Sequence, residues 1–210
     1  MEPEFWHQRW QHNEIGFHAA EANPLLVAHW DALSLSAGDR VFVPLCGKTL
    51  DIGWLLSQGY RVAGAELSEK AVQALFEELG LTPEISEAGV LRRYCARDVE
   101  IFVGDVFQLT RSLLGAVQAS YDRAALVALP APMRQRYTGH LREITATAPQ
   151  LLLCFDYDQR AMEGPPFAVP DDEVARHYAA HYALRKLASV EVVGGLKGQC
   201  AARENVWLLV

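Results

Sequence analysis

The chain has 210 residues, about half of them apolar, which is enough for one buried core without disulfide or metal support. A formal net charge of -7, with the lysines and arginines scattered, removes the footprint of a nucleic-acid binder and points to a small-molecule partner. The four cysteines are far apart with no C-x-x-C, the N-terminus is not basic-then-apolar, and no run reaches the roughly 18 apolar residues of a membrane span, so a cytoplasmic, reduced protein is predicted.

Residues 1–35 read as an N-terminal helical cover carrying Trp6, Trp10, Phe17 and Trp30, and 36–210 as the α/β core of the same single domain. From residue 40, β-branched runs recur at 40–45 (RVFVPL), 61–66 (RVAGAE), 99–104 (VEIFVG), 117–122 (VQASYD), 150–156 (QLLLCFD), 187–193 (LASVEVV) and 204–210 (ENVWLLV). Stretches of helical spacing separate most of them. Ile52, Leu55 and Leu56 stripe one helix that Thr49 is placed to cap; Ser68 is placed to cap the next, with Glu69 complementing its positive end. "VLRRYCARDVEIFV" (90–103) breaks the rhythm as a hairpin turning at Ala96-Arg97-Asp98. "GPPF" (164–167) with Pro170 marks a rigid loop before the helix "DDEVARHYAAHY". The last two strands follow each other across "GGLKGQCAAR" with no room for a helical crossover, so the final strand is predicted antiparallel. The whole reads as a Rossmann-like α/β fold: a mostly parallel seven-stranded sheet, helices on both faces, and an antiparallel last strand.

In such sheets a ligand lies beyond the carboxyl ends of the strands, where the winding order reverses. Four successive strand ends carry unusual residues: Leu45 to Gly47, Glu66, Asp105, and Asp122-Arg123. Glu66 stands nineteen residues after Gly47, the offset at which a carboxylate accepts hydrogen bonds from the ribose hydroxyls of an adenosine cofactor; the alternative is a solvated glutamate before a helix. Asp105 has two compatible readings, acceptor for an adenine amino group beside Val106 and Phe107, or cap of the following turn. "PLCGK" offers one glycine where a pyrophosphate needs close backbone approach at several points. An adenosine cofactor ending in an amino acid, S-adenosylmethionine, asks less of that loop. Arg123 is a candidate to orient an acceptor, stabilise a thiolate or bind the cofactor's carboxylate; the plain alternative is an ion pair with Asp122 or Asp105.

"FWHQRW", "IGFH", "VFVPLCGKTLD", "GAELSEKAV", "GDVFQL", "YDRAALVAL" and "GPPFAVPDDEV" together resemble the thiopurine S-methyltransferase family over nearly the whole chain. The resemblance implies a class I methyltransferase fold, S-adenosyl-L-methionine as methyl donor, and a soft sulfur nucleophile on an aromatic heterocycle as acceptor. It implies cofactor contacts at Trp10, Leu45, Glu66 and Arg123, the Asp105-Val106 pair near the adenine, and a substrate-side aromatic at Phe17. Gly47 reads as the point where the backbone passes close to the cofactor, the plain alternative being an ordinary tight turn.

Weaker signals resolve to structural roles. His177 and His181 have metal-compatible spacing without a third ligand, Cys46 has no partner base and reads as a small buried residue, and Asp156 and Tyr157 are candidates to touch the acceptor. A nicotinamide oxidoreductase lacks its G-x-G-x-x-G here; a cofactor-binding regulator without turnover is the alternative of a different class. No feature demands more than a monomer.

Overall fold

The structure, a computed structural model, describes residues 3–12 and 21–210. Phe17 lies outside them. Helix α1 is Pro3–Gln11 and α2 is Pro24–His29. Asn23 starts α2, its side-chain oxygen accepting from Leu25 N (2.8 Å) and Leu26 N (3.4 Å), with Pro24 in the first turn, where a missing N–H costs nothing. The chain continues into a 3₁₀ turn, Trp30–Leu33. Trp30 is buried and meets Trp54, Tyr60 and Tyr121 edge to face, so this residue of the N-terminal segment belongs to the core.

Strand and helix then alternate: β1 (Arg40–Pro44), α3 (Leu50–Ser57), β2 (Arg61–Glu66), α4 (Glu69–Glu78), β3 (Glu84–Ala88), β4 (Leu91–Ala96), β5 (Val99–Val103), α5 (Arg111–Leu114), β6 (Ala119–Arg123), α6 (Ala131–Thr145), β7 (Gln150–Asp156), α7 (Asp171–Tyr178), β8 (Leu184–Glu191) and β9 (Arg203–Leu209). Thr49 caps α3 by accepting from Asp51 N, and Ser68 caps α4 by accepting from Ala71 N. Period-two alternation divides the strand side chains between two layers. Val41, Val43, Tyr121, Leu151, Leu153, Val206 and Leu208 pack with α2, α3 and α4; Phe42, Ala63, Ala65, Leu152, Cys154 and Trp207 pack with α6 and α7. Burial on both faces explains why the central strands read as near-continuous apolar runs.

The described residues form a nine-stranded sheet in the order β3-β4-β5-β2-β1-β6-β7-β9-β8. The five central strands run parallel, and β9 is antiparallel to both neighbours as expected. Seven strands were expected; the two additional ones are β3 and β4. The hairpin at 90–103 is present as β4 and β5, and β3 extends it antiparallel across Gly89, which has φ +68°. β3 escapes a hydrophobic-pattern reading because it is a polar edge, "EISEA", in which only Ala88 is buried. Its glutamates suit an edge that must not pair with another chain. The winding order reverses between β1, which leads to β2 and β5, and β6, which leads to β7, and so places the crevice at their carboxyl ends.

Asp51 stitches three elements beneath that crevice. Its Oδ1 accepts from Asn23 N (2.7 Å) and its Oδ2 from the Tyr121 hydroxyl (3.0 Å), all three residues being buried. Asp51→Ala is expected to strand two buried donors and lower unfolding free energy by at least about 2 kcal/mol. Urea unfolding checks this: the midpoint falls with the slope unchanged, and an unmoved midpoint contradicts the role.

Candidate active site

The turn after β1 is shaped by two left-handed residues, Leu45 (φ +46°) and Gly47 (φ +54°). Glycine takes that conformation freely; leucine is strained there, a cost that persists only where surroundings enforce it. Cys46 N bonds Ala65 O of β2 (3.0 Å), which pins the turn to the neighbouring strand. Gly47 N donates to Glu66 Oε2 (2.8 Å), and Ser68 N donates to Glu66 Oε1 (2.8 Å). A Cβ on Gly47 would come within 3.1 Å of the Trp10 ring, so glycine is also what lets α1 close over the turn.

Glu66 is buried, which excludes the solvated-glutamate reading. Burial raises its pKa, opposed by the N–H groups of Ser68, Gly47 and Leu67. A carboxylate offers about four lone-pair positions. The two short bonds do not exhaust these positions, and Glu66 lines a cavity.

That cavity measures about 880 Å³ and runs across the strand ends from Glu66 to Arg123 and Glu204. It brings together Trp10, Leu45, Gly47, Glu66, Asp105, Val106 and Arg123, every cofactor-site candidate from the sequence. Asp105 caps the turn Val106–Gln108 by accepting from Phe107 N (3.0 Å), and it also borders the cavity, so its two readings coexist. His140 of α6 holds the Val106 carbonyl (2.8 Å), and the Arg136 guanidinium lies 3.8 Å from the Phe107 ring centre. Trp6 and Trp10 of α1 line the opposite wall.

Arg123 and Asp122 point to opposite faces of β6. Asp122 is fully buried, accepting from Leu126 N (3.0 Å) and the Tyr137 hydroxyl (2.7 Å), so the expected alternative of an Arg123–Asp122 pair fails on strand alternation. Burial raises the Asp122 carboxyl to about 6. Among the described residues Arg123 forms no ion pair within 4 Å, with Asp105 or any other; its charge acts across the cavity on Glu204 of β9.

Sequence reasoning missed Glu204, Arg136, Arg9 and Lys197, all of which line the cavity. Glu204 had a signal: it opens an apolar strand whose antiparallel register sets it beside Phe155. The others arrive from helix and loop faces that carry no motif. Lys48 turns away to Glu78 (2.6 Å). The Cys46 thiol is pushed well up by burial and by Glu66, which fits a packing residue rather than a nucleophile. Tyr157 donates to Pro166 O (2.6 Å) and so braces the loop whose Pro165 and Pro166 wall the cavity; neither it nor Asp156 borders the cavity itself. His177 bonds Glu173 (3.2 Å), and His181 falls beyond the end of α7.

A thiopurine S-methyltransferase family model matches residues 1–209. The chain is 56% identical to the thiopurine S-methyltransferase of Xanthobacter autotrophicus, covering 100% of this chain and 99% of that one. It is 52% identical to the enzyme of the same name from Teredinibacter turnerae, covering 100% and 97%. The chain belongs to the thiopurine S-methyltransferase family. It is therefore a methyltransferase, and its methyl donor is S-adenosylmethionine. The fold agrees with that of distant solved methyltransferases. One is the Burkholderia thailandensis 1,6-didemethyltoxoflavin N1-methyltransferase with S-adenosylhomocysteine bound (TM-score 0.67, 16% identity, 99% of this chain and 87% of that one). Another is the Synechocystis magnesium protoporphyrin IX methyltransferase (TM-score 0.65, 12% identity, 99% and 99%).

The donor set of this family member fits an adenosine cofactor without phosphate. Glu66 is a buried carboxylate with lone-pair capacity beyond its bonds to Gly47 N and Ser68 N, the turn beside it has a single glycine, and that turn's one lysine is committed to Glu78. Behind this set, Asp122 couples stability to pH. Its folded pKa of about 6 exceeds the ordinary 3.8, so protonation favours the folded state. The contribution is fully present below 3.8 and is lost as pH rises through about 6. The stability of the native chain relative to Asp122→Asn is expected to fall by up to about 1.4 kcal/mol per pH unit across that window. Denaturant unfolding at several pH values checks it; a difference independent of pH refutes the shift.

Proposed function

We propose that the chain transfers the methyl group of S-adenosylmethionine to the thiol sulfur of thiopurines or other aromatic and heterocyclic soft nucleophiles. The observation that carries the reading is a single cavity joining the Glu66-locked turn to an end walled by Leu153, Phe155, Pro165 and Pro166 with Arg123 among them. Bound S-adenosylmethionine supplies a methyl group already activated on a sulfonium, so the protein's task is to bind, orient and exclude water.

Glu66 accepts from the ribose hydroxyls with the lone pairs that Gly47 N and Ser68 N leave open. Asp105 and Val106 take the adenine edge, the backbone at Leu45 meets the amino acid end, and Trp10 covers the turn over Gly47. Phe17 belongs to the same proposal as an acceptor-side aromatic, on the resemblance alone. Arg123 orients the acceptor and stabilises its thiolate form. Apart from Lys48, which is paired with Glu78, four cationic side chains and three carboxylates line the cavity of a protein whose net charge is -7, a local balance that favours an anionic acceptor. Holding sulfur and methyl in near-attack geometry is worth about 7–11 kcal/mol. Apolar walls that keep water out strengthen every charge interaction inside.

The four cysteines are unbridged, which fits a reducing cytoplasm. Among the described residues no helix is long and apolar enough to cross a membrane. A monomer belongs to the same proposal.

Methyl transfer from labelled S-adenosylmethionine to aromatic thiols, phenols and amines tests the reading. Thiols are expected to turn over best; a chain that methylates only phenols or amines overturns it. At saturating cofactor, Arg123→Ala is expected to lower thiol turnover on the order of 100-fold. Unchanged rates would remove Arg123 from the acceptor site. Calorimetry on Glu66→Gln is expected to show S-adenosylmethionine affinity reduced about tenfold or more, with equal affinity contradicting the ribose assignment.

A further inference from the structure

Register puts a cation and a carboxylate on either side of one strand end. Arg123 of β6 pairs with Leu153 of β7, and Phe155 of β7 pairs with Glu204 of β9. Directly paired residues project to the same face, and all four line the cavity. Neighbouring strands stand about 4.8 Å apart, so β6 and β9 flank β7 at roughly 10 Å, the width of one flat ring system lying over Leu153 and Phe155.

The groups around Glu204 are few. Arg123 and Tyr121 face it from β6, Asp51 from α3, and the Asn23 amide from the start of α2. Its cross-strand neighbours, Phe155 on β7 and Val190 on β8, carry no charge. No ion pair within 4 Å engages Glu204 among the described residues, although it is half-buried. Its carboxylate accepts a hydrogen bond from the Asn23 side chain, and with no close cation its remaining lone pairs are available to a ligand.

We infer that Glu204 is the proton acceptor for heteroaromatic acceptors presented as thiones, with a ring N–H beside C=S, held over β7 between Glu204 and Arg123. The inference rests on the S-methyl transfer reading and deepens it by naming the acceptor class. The ring N–H proton passes to a Glu204 oxygen. Its electron pair moves through the N–C–S unit onto sulfur, and sulfur forms a bond to the methyl carbon as the sulfonium–methyl bond breaks and its electrons return to the donor sulfur. The products are the S-methyl heterocycle, S-adenosylhomocysteine and a protonated Glu204, whose proton is lost to solvent before the next turnover. Arg123 stabilises the anionic sulfur meanwhile. Burial and the Asp51 charge raise the Glu204 pKa while Arg123 and Asn23 hold it down, a balance suited to a carboxylate that accepts and returns a proton.

The test compares two acceptors, a cyclic thione with its N–H (2-thiopyridone) and a strongly acidic aromatic thiol ionised throughout the assay range (pentafluorothiophenol). Glu204→Gln is expected to lower kcat/KM for the thione on the order of 100-fold more than for the ionised thiol, and to abolish the acid limb of the thione's pH profile. Binding supplies a second readout. The native chain is expected to bind 2-thiopyridone about tenfold more tightly than its N-methyl analogue, a preference that Glu204→Gln erases. Calorimetric affinity for S-adenosylmethionine and thermal unfolding establish that the variant is folded. Equal losses on both acceptors, or an N–H preference that survives the substitution, overturn the inference while leaving S-methyl transfer standing. Failure of the native chain on both acceptors overturns the reading beneath it as well.

Discussion

Glu66 ends β2 with a carboxylate that accepts Gly47 N through one oxygen and Ser68 N through the other, so a single buried side chain clasps the turns after the first two parallel strands. Burying that charge is unfavourable, as its raised pKa records, and the backbone donors offset the cost. Leu45 is held in a left-handed conformation within the same clasp, and Trp10 closes against Gly47 where a Cβ would intrude. The end of the cavity that the proposal gives to adenosine depends on this arrangement. Donors that would otherwise cradle phosphate are spent on a protein carboxylate, and what remains exposed is acceptor capacity suited to hydroxyl groups.

The rest of the cavity follows from strand alternation at the sheet's switch point. β6 sends Arg123 up into the cavity and Asp122 down under α6, where Tyr137 and Leu126 N hold it. β7 contributes an apolar floor, and β9, running the other way, brings a carboxylate to the same level. The two ends of the cavity thus differ in chemistry: acidic groups and a tight turn at one, aromatic and proline surface with a cation and a carboxylate at the other, which the proposal assigns to cofactor and acceptor. α1 contributes Trp6, Arg9 and Trp10 to the lining, which makes it part of the cavity rather than an appendage.

The parallel core and the gathering of Leu45, Gly47, Glu66 and Asp105 at one cavity were legible from the sequence because they rest on local signals. Strand runs, the caps at Thr49 and Ser68, and the Gly47-to-Glu66 interval are all short-range patterns. The edge strand β3 was hidden by its polarity, since a strand that faces solvent needs no apolar alternation. Glu204 reaches the cavity through long-range register, Arg136 through helix orientation and Lys197 through the loop before β9, none of which a local pattern specifies. The ion-pair alternative for Arg123 failed because adjacency in sequence means opposite faces in a strand.

A structure of the chain with S-adenosylhomocysteine bound tests the central claim most directly. The expected result is a ribose diol within hydrogen-bond distance of Glu66 while Gly47 N and Ser68 N keep their bonds to the same carboxylate, with the open end beside Arg123 and Glu204 left for the acceptor. A ribose bound elsewhere, or a Glu66 that must release the turn to reach it, would contradict the account.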